Sequence, residues 1–145
     1  SEIRADVEGS NPFNYQRLVQ PVLDRHCVDC HKEEEALPLD GQPEGPHLWA
    51  RSYNNLAKDY GFYFNVSNGS IKDGVHGGSR TIPGEFGARA SNLFDYLSQG
   101  HYDVKLPEED LYRLALWLDC NSEFFGAYEN TEAQSRGEVV TPSLE

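Results

Sequence analysis

Methionine is absent from this 145-residue chain, so no side chain in it can offer a thioether to a metal. Cysteine is scarce: Cys27, Cys30 and Cys120 are all there is, too few for a disulfide framework. Long apolar runs are missing too. Hydrophobic residues make up 38% of the chain, yet no run of them approaches the roughly 18 residues of a membrane-spanning helix. Positive charge is in short supply, with 12 Lys and Arg against 24 Asp and Glu and a formal charge of -12. That sign makes nucleic acid and anionic membrane poor partners, since both would repel such a surface. A protein with a basic docking patch is favoured instead. The 13 glycines fall in neither Walker nor dinucleotide-binding spacing, so no phosphate cradle is predicted.

What the chain does have is Cys27-Val28-Asp29-Cys30-His31. Two thiols three positions apart, followed at once by an imidazole, form the attachment signature of c-type haem. Each sulfur bonds a haem vinyl, and the histidine takes the iron from the proximal side. Two other chemistries use paired cysteines. A zinc site needs two further ligands at a workable spacing, but the third cysteine is Cys120 and no His-x-x-x-His pair accompanies it. A thioredoxin-like site follows a strand in a βαβ pattern, whereas a helical pattern precedes Cys27. One covalent haem c is therefore the predicted cofactor. Cys120 is then left alone and no intrachain disulfide forms. In bacteria such haem is attached outside the cytoplasmic membrane, which predicts a periplasmic or extracellular (secreted) location.

Residues 1–12 carry charge, Gly9, Ser10 and Pro12 without periodicity and read as a linker; with neither a basic start nor an apolar stretch they are no signal peptide. Asn14 is placed to cap a helix with Leu18, Val19, Val22 and Leu23 near one face and Pro21 at its entry or kink, and this helix delivers Cys27. Residues 32–35 read as a solvated charged face, and the prolines and glycines of 37–47 as an irregular loop. Ser52 is the expected N-cap of a short helix that runs through Leu56 and Asp59 and stops at Gly61. Phe62 to Val66 alternates like a short strand. The aromatic cluster from Tyr60 to Phe64 suits packing against haem or core, or else a sugar ring. Between 68 and 87 glycine is too dense for a helix. This stretch reads as a wrap bringing backbone close to the haem, with Arg80 and Arg89 flanking it as candidate propionate partners. Ser91 should start a helix with Leu93, Phe94 and Leu97 inward and Gly100 as its stop. Pro107 and three acids open the clearest amphipathic helix, marked by Leu111, Leu114, Ala115 and Leu118. It ends at Cys120, read as a small buried hydrophobe. Phe124, Phe125 and Tyr128 are expected to fold back onto the core.

A haem iron held by His31 either takes a sixth ligand or keeps an open position, and that choice separates an electron carrier from a ligand-binding or catalytic haem. Without methionine, the His/Met pair of many soluble carriers is impossible. His101, His76 and His47 remain, with Lys105 as an outsider. His101 sits on a short connection between Gly100 and Pro107, while His76 lies among glycines, where holding a ring still costs more entropy. A second imidazole lacks the thioether's preference for Fe(II), so the potential should lie below that of His/Met carriers. Two rival functions are a haem enzyme or gas-binding domain with a labile distal site, and a binding module in which the haem is structural. No distal acid–base pair can be assigned for the first.

Four blocks, Pro21–His31, Pro83–Ser91, Gly100–Leu106 and Leu116–Asn121, resemble the C-terminal haem domain of hydrazine synthase alpha subunits and related proteins. They also resemble the monohaem cytochrome modules of secreted carbohydrate-active bacterial proteins. The resemblance spans residues 13–128. It implies a bis-histidine haem, with His31 proximal and, at the matching Gly-His block, His101 distal. It also implies relay of electrons rather than catalysis, to a secreted redox partner such as a copper lytic polysaccharide monooxygenase acting in polysaccharide degradation. The expected fold is mainly α, a cytochrome c-like helical domain around one covalent haem, with long irregular loops and a candidate short β-strand pair. The expected organisation is a linker (1–12), a monohaem cytochrome c domain (13–128) and a polar C-terminal tail (129–145), together a monomeric domain of a larger protein that works in electron transport and is not itself an enzyme.

Overall fold

The computed structural model describes residues 6–33, 35–62, 65–67, 70–73 and 84–143. It is mainly α, with two small two-stranded antiparallel sheets. Among the described residues no helix is long and apolar enough to cross a membrane. The chain divides into two compact units, 1–55 with 123–145, and 56–122.

In the first unit, Asn14 has extended backbone, and its Oδ1 accepts the Gln16 N–H at 2.9 Å, which starts α1 (Tyr15–Leu18). Val19 closes α1 and opens α2 (Gln20–His26), where Pro21 sits in the first turn and its missing N–H costs nothing. Tyr15, Leu18, Val19, Val22 and Leu23 are buried. The Tyr15 ring stacks on Phe124 at 5.3 Å and meets Tyr53 edge-on at 5.2 Å. Strand β1 (Pro43–Glu44) pairs with β2 (Trp49–Ala50), which runs directly into α3 (Arg51–Leu56). Ser52 is therefore inside α3 rather than capping it: its buried hydroxyl donates to Gln20 Oε1 at 2.6 Å.

Residues 129–143 belong to the segment expected from the sequence to be a polar tail. They carry α6 (Thr131–Ser135), whose Gln134 and Ser135 are buried, as is Val140. Asn14 Nδ2 donates to the Gln134 carbonyl at 3.0 Å, and Tyr15 N–H donates to the Phe124 carbonyl at 3.0 Å. Phe124 folds into the core as expected and Phe125 is half-buried, but Tyr128 stands fully exposed.

In the second unit, β3 (Asn65–Ser67) pairs with β4 (Ser70–Asp73), and β3 includes Asn65 and Val66 of the strand expected over Phe62 to Val66. Tyr63 and Phe64 lie outside the described residues. Ser91 Oγ accepts the Phe94 N–H at 3.2 Å and caps α4 (Asn92–Gln99), which stops at Gly100 with φ 91°. Helix α5 (Glu108–Asp119) has Glu108, Glu109 and Asp110 in its first turn and buries Leu114, Trp117 and Leu118. The C-cap that ends it swings Cys120 outward, so that thiol is exposed, not buried as the sequence suggested. Asp119 Oδ1 accepts the Ala88 N–H at 2.8 Å and fixes the 3₁₀ turn Gly87–Ala90.

Beyond α5, the buried Ser122 hydroxyl accepts the Phe62 N–H at 3.1 Å and donates to the Phe62 carbonyl at 2.6 Å. One side chain thus satisfies both backbone groups of a buried residue. Ser122→Ala leaves both without it, and a loss of about 2–4 kcal/mol is expected. Urea unfolding checks this: the midpoint should fall while the slope stays constant.

Candidate functional site

Helix α2 ends at His26, and Cys27 is its C-cap, with Cys27 and Val28 N–H groups both donating to the Leu23 carbonyl. A 3₁₀ turn, Cys30–Lys32, follows at once, and the His31 N–H donates to the Cys27 carbonyl at 3.1 Å. One turn of backbone therefore holds both thiols and the imidazole. The chain then bends at Glu33, whose carbonyl accepts from Ala36, and returns Leu37 to the motif. There the Leu37 carbonyl lies 2.7 Å from His31 Nδ1. A carbonyl can only accept, so Nδ1 carries the proton and the imidazole lone pair is on Nε2, the tautomer needed for ligating a metal through Nε2.

The three cysteines are thiols; Cys27 is half-buried, and Cys30 and Cys120 are exposed. Burial, reinforced by the neighbouring Cys30, pushes the Cys27 thiol up to about 11. A disulfide oxidoreductase needs the reverse, a thiol lowered toward neutrality. Among the described residues no three His, Cys, Asp or Glu side chains are gathered as an ion site. Haem attachment asks for something different, two sulfurs at the edge of a macrocycle and an imidazole at its centre. Two thiols on one turn with a tautomer-fixed histidine fit that group. The outer side of the turn is solvated: exposed Lys32 pairs with exposed Asp29, whose carboxyl is held below its ordinary range by that bond.

The other candidate residues are placed as follows. His101 is in the second unit, half-buried between Gly100 at φ 91° and Tyr102 at φ 51°. A bridge to Val104 fixes its backbone, and its ring meets Tyr102 edge-on at 4.7 Å and Tyr96 at 6.5 Å. It is thus on a held connection, as the sequence suggested. Arg89 and Lys105 are exposed in that unit. His47, in the first unit, is exposed and stacks on Trp49 at 4.8 Å. His76 and Arg80 lie outside the described residues. The structure gathers Cys27, Cys30 and His31, and adds the Leu37 carbonyl, which sequence reasoning missed. Its signal was Pro38, because a residue before proline is held extended, away from helix.

No protein-family model, curated protein or solved structure matches this chain.

Thiol reactivity reports the site before any haem is attached. In protein expressed without attachment machinery, iodoacetamide should modify Cys30 and Cys120 before Cys27. The rate at Cys27 should keep rising with pH toward about 11. Peptide mass spectrometry after timed quenching gives the order, and Cys27 reacting first would contradict the burial described.

Proposed function

We propose that this chain is a monohaem c-type electron-transfer domain, with haem joined to Cys27 and Cys30, His31 as the proximal ligand and His101 as the distal one. The observation that carries the reading is the His31 Nδ1–Leu37 carbonyl hydrogen bond of 2.7 Å, because a motif that only resembled a haem site by chance has no need of an oriented imidazole. Bound haem c supplies a one-electron Fe(III)/Fe(II) couple. The residues do the remainder. The Leu37 carbonyl holds the His31 ring in the orientation and tautomer that present Nε2. The end of α2 and the turn after it hold the two sulfurs in register. His101, with no methionine to compete, makes the ligand pair bis-histidine and sets the potential below that of His/Met carriers. Arg80 and Arg89 are the candidates for pairing with propionates. The finer fold is then cytochrome c-like.

The formal charge of -12 favours a redox partner with a basic docking patch. The family resemblance supports a secreted one in polysaccharide degradation, such as a copper lytic polysaccharide monooxygenase, with the domain itself periplasmic or extracellular.

Co-expression with a haem-attachment pathway tests the assignment. The intact mass should rise by one haem, and Cys27→Ala or Cys30→Ala should each remove one thioether. Ferric protein should be low-spin; a high-spin spectrum would mean an open distal position and overturn the carrier reading. His101→Ala should convert it to high-spin and let the ferrous protein bind CO rapidly. Retention of the low-spin spectrum in that variant would move the distal ligand to His76 or elsewhere.

Docking has its own test. Oxidation of the reduced protein by a basic copper monooxygenase, followed by stopped flow, should slow steeply as salt rises. Absence of any exchange would remove that partner and leave the cytochrome assignment standing.

A further inference from the structure

We infer that an aromatic cleft in the first unit is a binding site for a small organic cation, an alkylammonium or guanidinium group. This inference is independent of the haem. The cleft holds about 400 Å³ and is walled by Trp49, Tyr53, Phe124, Phe125 and Tyr128, with Glu123 as the one charged side chain in its lining. That size is ordinary for a small-molecule site, which runs from roughly 300 Å³ upward.

The orientation of the rings selects the ligand. Tyr53 meets Trp49 at 68° and Phe124 at 68°, and Phe124 meets Phe125 at 89°. Rings set at such angles form corners, whereas a sugar calls for flat platforms laid along its length. Phe124 is only 2% exposed and stacks on Tyr15, so a compact cation meets the negative faces of Trp49, Tyr53, Phe125 and Tyr128. Glu123 adds a full charge of the same sign, and the chain's net charge of -12 raises the local concentration of cations and disfavours anions.

The wall is also built in advance. Gln134, only 2% exposed, accepts the Gly126 and Ala127 N–H groups through Oε1 and donates through Nε2 to the Ala127 and Glu129 carbonyls. Gly126 packs so closely on the Phe13 backbone that a Cβ there would collide with it. The loop carrying Phe125 to Tyr128 is therefore fixed before a ligand arrives, which removes an ordering cost from binding. Tyr128, fully exposed on this rigid loop, is left at the rim with its ring available.

The chain has two tryptophans, Trp49 in the cleft and Trp117 fully buried in the other unit, so a proton–nitrogen correlation spectrum of the full chain carries two indole resonances. Tetramethylammonium and methylguanidinium, added at constant ionic strength, should each move the Trp49 resonance saturably at millimolar concentration and leave Trp117 still. Glu123→Gln should raise the half-saturation concentration about fivefold, and Tyr128→Ala should raise it by a similar factor. An unchanged thermal unfolding midpoint shows that each variant is folded. Tighter saturation by tetramethylammonium would identify a free alkylammonium as the source; tighter saturation by an arginine-containing peptide would identify a partner's side chain. The inference is overturned if no cation saturates the shift, if uncharged tert-butanol matches the cations, or if both variants bind as the wild type does.

Discussion

One buried amide, that of Gln20, sets the geometry on which the Cys27–His31 motif depends. Its Nε2 donates to the Leu39 carbonyl at 3.1 Å and to Asp24 at 2.7 Å, so its Oε1 is left to accept from Ser52 at 2.6 Å. That bond uses the only proton of the Ser52 hydroxyl. Tyr15, 3.1 Å from Ser52 Oγ, must then be the donor in its own bond, and burial keeps it protonated by raising its ionisation well above the ordinary tyrosine range. Tyr15, Ser52, Gln20 and Leu39 are buried and hydrogen-bonded, with Asp24 at the exposed end, and a satisfied polar network of this kind orders a core rather than weakening it. The consequence reaches His31. Leu39, held by Gln20, is two residues from Leu37, whose carbonyl orients the imidazole. α1, α2, α3 and the loop after the motif are thus locked together by one side chain.

How much of this was legible in the sequence follows from how local each feature is. Asn14, Ser91, Gly100 and the acidic first turn of α5 act on backbone within a few residues of themselves, and each is found in its expected place. The same holds for Cys27 at the end of α2. Ser52 misled because a serine before a helical stretch is a good cap in isolation, and only its distant acceptor Gln20 draws it inside. Cys120 misled because hydrophobic periodicity continues up to Leu118, but the C-cap breaks the helical phase just beyond. Residues 129–143 were invisible to hydrophobic reasoning altogether: the residue that anchors them is Gln134, buried by its hydrogen bonds rather than by apolar character.

The aromatic cleft shows the same limit from the other side. Read along the chain, the dense aromatic stretch is Tyr60 to Phe64. The rings that meet in the first unit come instead from 49–53 and 124–128, brought together because Asn14 bridges to Phe125 and Tyr15 takes the Phe124 carbonyl. No periodicity in either segment announces the other. A non-local cluster of this kind becomes visible only when the backbone pairing that creates it is known.

The acidic character of the chain enters at two length scales, and they separate physically. A net charge of -12 acts on a docking protein across water, over distances comparable with the Debye length of about 8 Å at physiological salt, so salt removes most of it. In the cleft, a cation would sit against Glu123 and the ring faces at contact distance, where ions cannot enter between them and the rings exclude part of the water. The first effect governs how fast a partner arrives, and the second governs how long a ligand stays. A uniformly acidic surface cannot by itself choose one basic molecule over another. The corner of rings beside Glu123 can, because it adds shape to a charge that the rest of the surface already shares.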